Sequence, residues 1–114
     1  MAGNNLQAPT SQSNDDRPSD AIRDRYVAFK RTKAEWDAWN YATGGDRLDA
    51  DDDSYCAANT KALNELLLTP SENLRDLEIK LRVFNDEEID DGWTMARPIV
   101  ALLADDAKRL VCDA

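Results

Sequence analysis

The side chains that are numerous and closely spaced enough to bind a metal ion or to take part in catalysis are carboxylates. They form two clusters in the sequence. The first acidic cluster consists of Asp49, Asp51, Asp52 and Asp53. The second acidic cluster consists of Asp86, Glu87, Glu88, Asp90 and Asp91. Carboxylates at alternate positions resemble the start of a calcium loop, which also needs Gly at position 6 and Glu at position 12. Ser54 and Thr60 occupy those positions after Asp49, and Asp91 and Arg97 occupy them after Asp86. We therefore expect no calcium site, and no cofactor of another kind.

Catalysis by the usual nucleophiles and bases is also disfavoured. The chain has no histidine, which removes the commonest general base and the commonest transition-metal ligand. Neither Cys56 nor Cys112 stands at an evident helix start that would lower its pKa. Gly44 and Gly45 are followed by acidic residues and not by the lysine of a phosphate-binding loop. An enzyme or a metal-dependent module is thus the weaker alternative.

The formal net charge of −9 limits the class of partner. Its excess lies between residues 42 and 91, because the flanking segments together are neutral. Nucleic acid and anionic membranes would repel such a chain, so we expect neither as a direct ligand. A protein with a basic surface is the natural partner. The first 18 residues lack the basic start and the apolar stretch of a signal peptide. The two cysteines are far apart in the sequence, which favours reduced thiols. We therefore expect a cytoplasmic protein.

The pattern of apolar residues predicts helices as the elements that carry these clusters. Residues 1–18 are polar and read as a disordered N-terminal arm, with a helical domain over 19–114. Ser19 is a candidate N-cap of a first helix that runs to about Tyr41. Its apolar stripe comprises Ile22, Tyr26, Phe29 and Trp36. Trp39 points away from that stripe, so it either packs on a neighbouring helix or anchors a partner.

A second helix follows the first acidic cluster. Its apolar arc comprises Leu48, Tyr55, Asn59, Ala62, Leu63 and Leu66, with Cys56 at the edge as a buried thiol. At the joint that follows, Thr69 is expected to cap a third helix in which Pro70 is the first residue and Glu72 completes a capping box.

The third helix should run from Pro70 to about Phe84 and has two apolar sides. Leu74, Leu77, Leu81 and Phe84 form the predicted buried seam. Ile79 and Val83 lie opposite, so this helix is either sandwiched between neighbours or presents a partner surface. The last helix starts at Thr94 or Arg97, and Ile99, Leu102, Leu103 and Leu110 share one side. The sequence thus predicts an all-α single small domain, either a four-helix bundle or an orthogonal helical array.

Three short segments carry a family resemblance. They are Thr69-Pro70 followed by Leu74, then Lys80-Leu81-Arg82-Val83, and finally the closing stretch from Leu102 to Leu110. In them the chain resembles a group of small uncharacterised helical proteins of alphaproteobacteria and their prophages. The resemblance implies a bacterial or phage origin and a cytosolic setting, and it implies no activity.

Together these observations predict a non-catalytic acidic helical protein that acts by binding another protein. The alternative in the same class is a protein that mimics nucleic acid and inhibits a DNA-binding protein or nuclease. The candidate partner-binding residues are both acidic clusters together with Trp39, Ile79 and Val83. Mimicry requires the two clusters on the same side of the body, without Lys61, Arg75 or Lys80 between them.

Overall fold

Four helices build the protein in this computed structural model, which describes residues 17–44, 49–90 and 92–112, without the side chains of residues 49 and 50. They are α1 (Asp20–Thr43), α2 (Asp49–Leu67), α3 (Leu74–Asp86) and α4 (Ala96–Cys112). These residues contain no strand, which confirms the predicted all-α class. Most of the predicted N-terminal arm lies outside the described residues.

Helix α1 begins and ends as its sequence predicts. The Ser19 side chain accepts a hydrogen bond from the Ile22 backbone N–H, and Gly44 closes the helix with a φ of 59°, a conformation that glycine adopts without strain. Ile22 and Phe29 are buried, while Tyr26 and Trp36 are half-buried. The stripe therefore faces the core most closely over its first half.

Helices α1 and α2 form an antiparallel hairpin. Asn59 Nδ2 donates to Thr32 Oγ1 at 3.1 Å, and nearer the turn Trp36 Nε1 donates to Asp52 Oδ1 at 3.1 Å. The second half of α2 buries the predicted arc at Asn59, Ala62, Leu63 and Leu66. Leu48 of that arc lies outside the described residues.

The two helices continue beyond the core as a pair that we call the hairpin tip, residues 34–43 and 51–58. No side chain in these two ranges is buried. Cys56 belongs to this tip and is exposed, so its prediction as a buried thiol was wrong. The reason is that, within the described residues, the first half of α2 packs on α1 in the hairpin tip, where no side chain is buried.

The joint between α2 and α3 differs from its prediction. Helix α3 starts at Leu74, with Asn73 as the N-cap whose side chain accepts from the Asp76 N–H at 2.8 Å. The predicted capping box at Thr69 is therefore wrong. Thr69 Oγ1 instead donates back to the Glu65 carbonyl at 2.6 Å. Ser71 is buried and bonded to Asp106, so the joint is a segment of turns and bends held by α4.

The buried side of α3 also differs from its prediction. Leu77 is buried, as expected, but Leu74 and Leu81 are 54% and 48% exposed. Ile79 and Val83 are buried instead. Helix α3 thus lies between neighbours, and Ile79 and Val83 cannot form the partner surface proposed for them.

Helices α3 and α4 complete the core beside α1. Ser19 N donates to Asp76 Oδ1 at 2.7 Å, and Lys33 pairs with Glu87 at 2.8 Å, so α3 runs parallel to the first half of α1. Helix α4 starts at Ala96, between the two predicted residues, and places Pro98 in its first turn. Its buried apolar residues are Ala96, Ile99 and Leu103.

Candidate protein-binding surface

One residue of each acidic cluster forms a hydrogen bond with the same turn of α1. Glu87, in the second cluster, accepts from Lys33 Nζ at 2.8 Å. Asp52, in the first cluster, accepts from Trp36 Nε1 at 3.1 Å. Lys33 and Trp36 are three residues apart on a helix and therefore lie side by side, about 5–6 Å between their Cβ atoms. Helix α1 thus brings parts of both clusters to the same side, which sequence spacing alone could not establish.

Most of the remaining carboxylates point to solvent. Asp51, Asp53, Asp86, Glu88 and Asp90 are exposed. Asp90 Oδ1 accepts from the Gly92 backbone N–H at 2.8 Å, which orders the turn before α4. The side chain of Asp49 and the whole of Asp91 lie outside the described residues.

Glu88 fixes the direction in which the second cluster leaves α3. Its φ of 53° is left-handed, and the Glu88 N–H bonds the Asn85 carbonyl at 3.1 Å. The Ile89 N–H reaches the Phe84 carbonyl at 3.4 Å, which completes a Schellman turn. Ile89 is buried beneath this turn, while Glu88 stays exposed. The chain therefore reverses with one apolar residue inside and its carboxylates outside.

Aromatic side chains stand beside the first cluster. Trp39 stacks on Tyr55 with ring centroids 5.2 Å apart and an angle of 27° between the ring planes. Both rings are half-buried, and Tyr41 nearby on α1 is 90% exposed. Trp39 therefore packs on the neighbouring helix and still keeps part of its surface open to solvent.

Each basic residue that could interrupt a negative face is paired or buried, and Lys61 lines the same groove as Asp53 of the first cluster. Lys61 pairs with Glu65 at 3.0 Å, and Arg75 pairs with Glu78 at 3.1 Å. Lys80 is fully buried and so is not a surface charge. Lys33 also contacts the second cluster, because its ammonium pairs with Glu87.

A buried polar centre under the joint is the feature that sequence reasoning missed. Lys80 Nζ lies 2.6 Å from Asp106 Oδ2, and both side chains are completely buried. The same ammonium donates to the Thr69 carbonyl at 2.6 Å. Asp106 also accepts from the Ser71 hydroxyl at 2.7 Å and from Arg109 at 2.5 Å.

The ionised form of Asp106 is favoured in this centre. Burial raises the pKa of the carboxyl, but the hydrogen bonds from Lys80 and Ser71, together with the Lys80 charge, more than compensate. The pKa of Asp106 therefore lies below its ordinary value. Ser71 is 1% exposed and donates its proton to a carboxylate that already holds a cation, so the group fastens the joint and offers no open nucleophile.

A signal for this centre exists in the sequence. Lys80 lies three residues from both Leu77 and Val83, and Asp106 lies three residues after Leu103. Each charge thus interrupts an apolar stripe at a position that faces the core. Two opposite charges at such positions on two helices are the pattern expected for a buried ion pair.

A groove of about 840 Å³ runs along α2 from Asp53 to Thr69. Arg25, Cys56 and Lys61 are among its walls. Across the part of the chain described here, no three His, Cys, Asp or Glu side chains are grouped so that they could hold a metal ion. Among the same residues, no helix is both long and apolar enough to span a membrane.

Comparison of the chain with known protein families, curated proteins and solved structures found no match.

Proposed function

We propose that this protein is a non-catalytic binding protein whose acidic face engages a basic surface on another protein. The meeting of the two acidic clusters at Lys33 and Trp36 is the observation that carries this proposal. Lys33 contacts Glu87 and Lys61 lines the groove that contains Asp53, whereas the carboxylates of Asp51, Asp53, Asp86, Glu88 and Asp90 are exposed. A concentrated negative potential of this kind attracts a basic partner over a distance of about one Debye length, roughly 10 Å at 0.1 M salt.

The aromatic rings at the hairpin tip add a reason to expect binding at this end. Tryptophan and tyrosine contribute much of the binding energy at protein interfaces, and arginine is enriched among the residues that meet them. Tyr55 of the Trp39–Tyr55 pair is four residues after Asp51, so the two lie on the same side of α2, and the ring of Tyr41 is exposed on α1. A guanidinium group could therefore stack on a ring and pair with a carboxylate at the same time.

A second candidate function is mimicry of nucleic acid. It is favoured by the contacts of both clusters with one side of α1 and by the burial of Lys80, which removes one of the cations that would have separated them. In this case the partner would be a DNA-binding protein or nuclease, and duplex DNA would compete for the same groove.

The test compares two triple variants with the same net charge. The first, Asp51→Asn, Asp53→Asn and Glu88→Gln, removes charge from the acidic face. The control, Asp20→Asn, Asp24→Asn and Asp105→Asn, removes exposed charge elsewhere. Asp20 lies about 24 Å along α1 from Trp36, at 1.5 Å per residue.

Binding is measured against an immobilised polyarginine peptide at about 0.1 M and about 1 M salt, where the screening length falls to about 3 Å. We expect the first variant to bind at least about tenfold more weakly than the control at low salt, with the difference vanishing at high salt. Equal losses in both variants would mean that net charge alone matters and would refute a dedicated face. Displacement of duplex DNA from a panel of small DNA-binding proteins would select mimicry.

A further inference from the structure

Helix α3 buries two charged side chains while two of its leucines are exposed. Asp76 and Lys80 are completely buried, whereas Leu74 and Leu81 are 54% and 48% exposed. Transfer of an ion out of water is costly, and transfer of a leucine is favourable. Apolar burial alone therefore does not explain why this side of α3 faces the core.

Rotation of α3 about its own axis would exchange these side chains. Successive residues are about 100° apart around an α-helix, so a rotation of about 100° would place Leu81 where Lys80 now lies. Leu77 and Phe84 lie between the two sides and would contact the core in either orientation. The two orientations differ in which apolar pair is buried, Ile79 with Val83 or Leu74 with Leu81. Two leucines have at least the apolar surface of an isoleucine and a valine, so the hydrophobic effect does not favour the observed orientation.

The carboxylate of Asp76 holds α3 to the start of α1. Its Oδ1 accepts from the Ser19 backbone N–H at 2.7 Å, and its Oδ2 accepts from the Glu72 backbone N–H at 2.9 Å. Ser19 is the N-cap of α1, where the helix dipole also favours a negative charge. A rotation of about 100° would remove the carboxylate from both donors.

Lys80, one turn after Asp76, is held by the joint and by α4. Its ammonium lies 2.6 Å from the Thr69 carbonyl oxygen and 2.6 Å from Asp106 Oδ2. Residues four apart lie on the same side of a helix, so one rotation would break the contacts of both side chains. It would also leave Asp106, which is completely buried on α4, without the Lys80 ammonium. Loss of one partner from a buried ion pair is strongly destabilising, so the polar contacts disfavour the rotated orientation.

We propose that the buried contacts of Asp76 and Lys80, and not apolar burial, set the rotation of α3 about its axis. These contacts select Ile79 and Val83 as the buried pair and leave two leucines exposed. The buried charges thus provide conformational specificity, a role for which some buried polar groups are retained even where apolar residues would be as stable. The proposal is independent of the proposed function, because it uses no residue of either acidic cluster.

Methyl NMR of the full chain reports this orientation through the natural side chains. A soluble paramagnetic chelate broadens the signals of exposed methyl groups more than those of buried ones. In the wild-type chain we expect stronger broadening for Leu74 and Leu81 than for Ile79 and Val83. Rotation of α3 would reverse this order.

Two triple variants with the same net charge provide the test. The first removes the buried contacts and leaves no unpaired member of the ion pair: Asp76→Ala, Lys80→Ala and Asp106→Ala. The matched control removes exposed charges from the same two helices: Glu78→Ala, Arg82→Ala and Asp105→Ala. We expect the order of broadening to reverse in the first variant and to stay as in the wild type in the control. An unchanged order in the first variant, with its helices retained by circular dichroism, would overturn the proposal, and so would reversal in both variants.

Val83→Ala gives the complementary test, because it keeps both buried charges. It lowers the apolar content of the buried side further below that of Leu74 and Leu81. We expect these leucines to stay exposed, because the polar contacts are intact. A single truncation of this kind is usually tolerated, so this variant decides the question even if the first triple variant does not fold. Stronger broadening for Ile79 than for Leu81 in Val83→Ala would mean that apolar burial selects the orientation, and the proposal would be overturned.

Discussion

Removing one partner of the buried Lys80–Asp106 pair should have unequal consequences, depending on which partner is removed. In Asp106→Asn, the Lys80 ammonium stays fully buried without a counter-ion, because the Thr69 carbonyl and the introduced amide oxygen are both neutral acceptors. In Lys80→Met, the Asp106 carboxylate keeps the Ser71 hydroxyl, the Ser71 N–H and the Arg109 guanidinium. The structure therefore predicts the larger loss for Asp106→Asn.

The magnitudes follow from the cost of an unpaired buried charge. Stranding one member of a buried ion pair costs about 3–5 kcal/mol, which we expect for Asp106→Asn. Lys80→Met leaves a charge that is still paired and loses a hydrogen bond to a charged group, so we expect about 1–3 kcal/mol. A domain of this size is stable by about 5–15 kcal/mol, so Asp106→Asn should leave a marginally folded chain.

Urea unfolding followed by circular dichroism measures both losses. Glu78→Gln is the control, because its ion pairs with Arg75 and Arg82 are exposed and should contribute less than about 1 kcal/mol. An equal or larger loss for Lys80→Met would refute the assignment of Arg109 as the second counter-ion of Asp106. A loss below about 1 kcal/mol for Asp106→Asn would refute the buried pair itself.

The pH dependence of the free energy of unfolding gives an independent check of the Lys80–Asp106 pair. Burial acts to raise the pKa of Asp106 in the folded chain, but the hydrogen bonds from Lys80 and Ser71 together have the larger effect. The pKa of Asp106 is therefore lowered on folding. An aspartate in the unfolded chain has a pKa of about 3.9. The contribution of Asp106 is therefore present above about pH 4 and is lost as pH falls through the folded-state pKa. The difference in stability between wild type and Asp106→Asn should shrink below about pH 4.

Three further variants or modifications test separate parts of the fold. Leu77→Ala should cost about 2–5 kcal/mol in urea unfolding, whereas Leu81→Ala should cost less than about 1 kcal/mol; similar losses would contradict the orientation of α3. Cys56 should react with a thiol reagent in the native state almost as fast as in urea, and strong protection would contradict its exposure. Glu88→Gly should raise the melting temperature by a few degrees, because glycine removes about 1 kcal/mol of left-handed strain; no change or a decrease would contradict the turn described at the end of α3.

Helix positions were predictable because local chemistry determines them. Ser19 and Gly44 cap α1 where capping preferences place them, and the arc from Asn59 to Leu66 faces the core as its periodicity requires. The number and order of helices therefore followed from the sequence. The start of α3 did not, because the joint residue Ser71 is held by Asp106 on a distant helix.

The orientation of α3 could not be read from its own residues. Leucines occupy one side of this helix and Ile79 with Val83 the other, so periodicity offers two solutions of similar apolar content. The structure buries Ile79 and Val83, on the side of the helix that also lets Lys80 reach Asp106. The two acidic clusters were evident as composition, but their approach depends on α1 and α3 running parallel, which is a tertiary property.

The hairpin tip has a consequence for how the protein loses its structure. Because none of its side chains is buried, the tip is held mainly by contacts between two helices, such as the Trp39–Tyr55 stack and the Trp36–Asp52 hydrogen bond. Backbone amides there should exchange with deuterium through opening events that leave the core folded. Trp36 and Trp39 would report such opening, while Trp93, bonded to Asn64 at 2.9 Å, reports on the body. Melting followed at the tip would then precede melting followed at the core, and a single transition would not describe the chain.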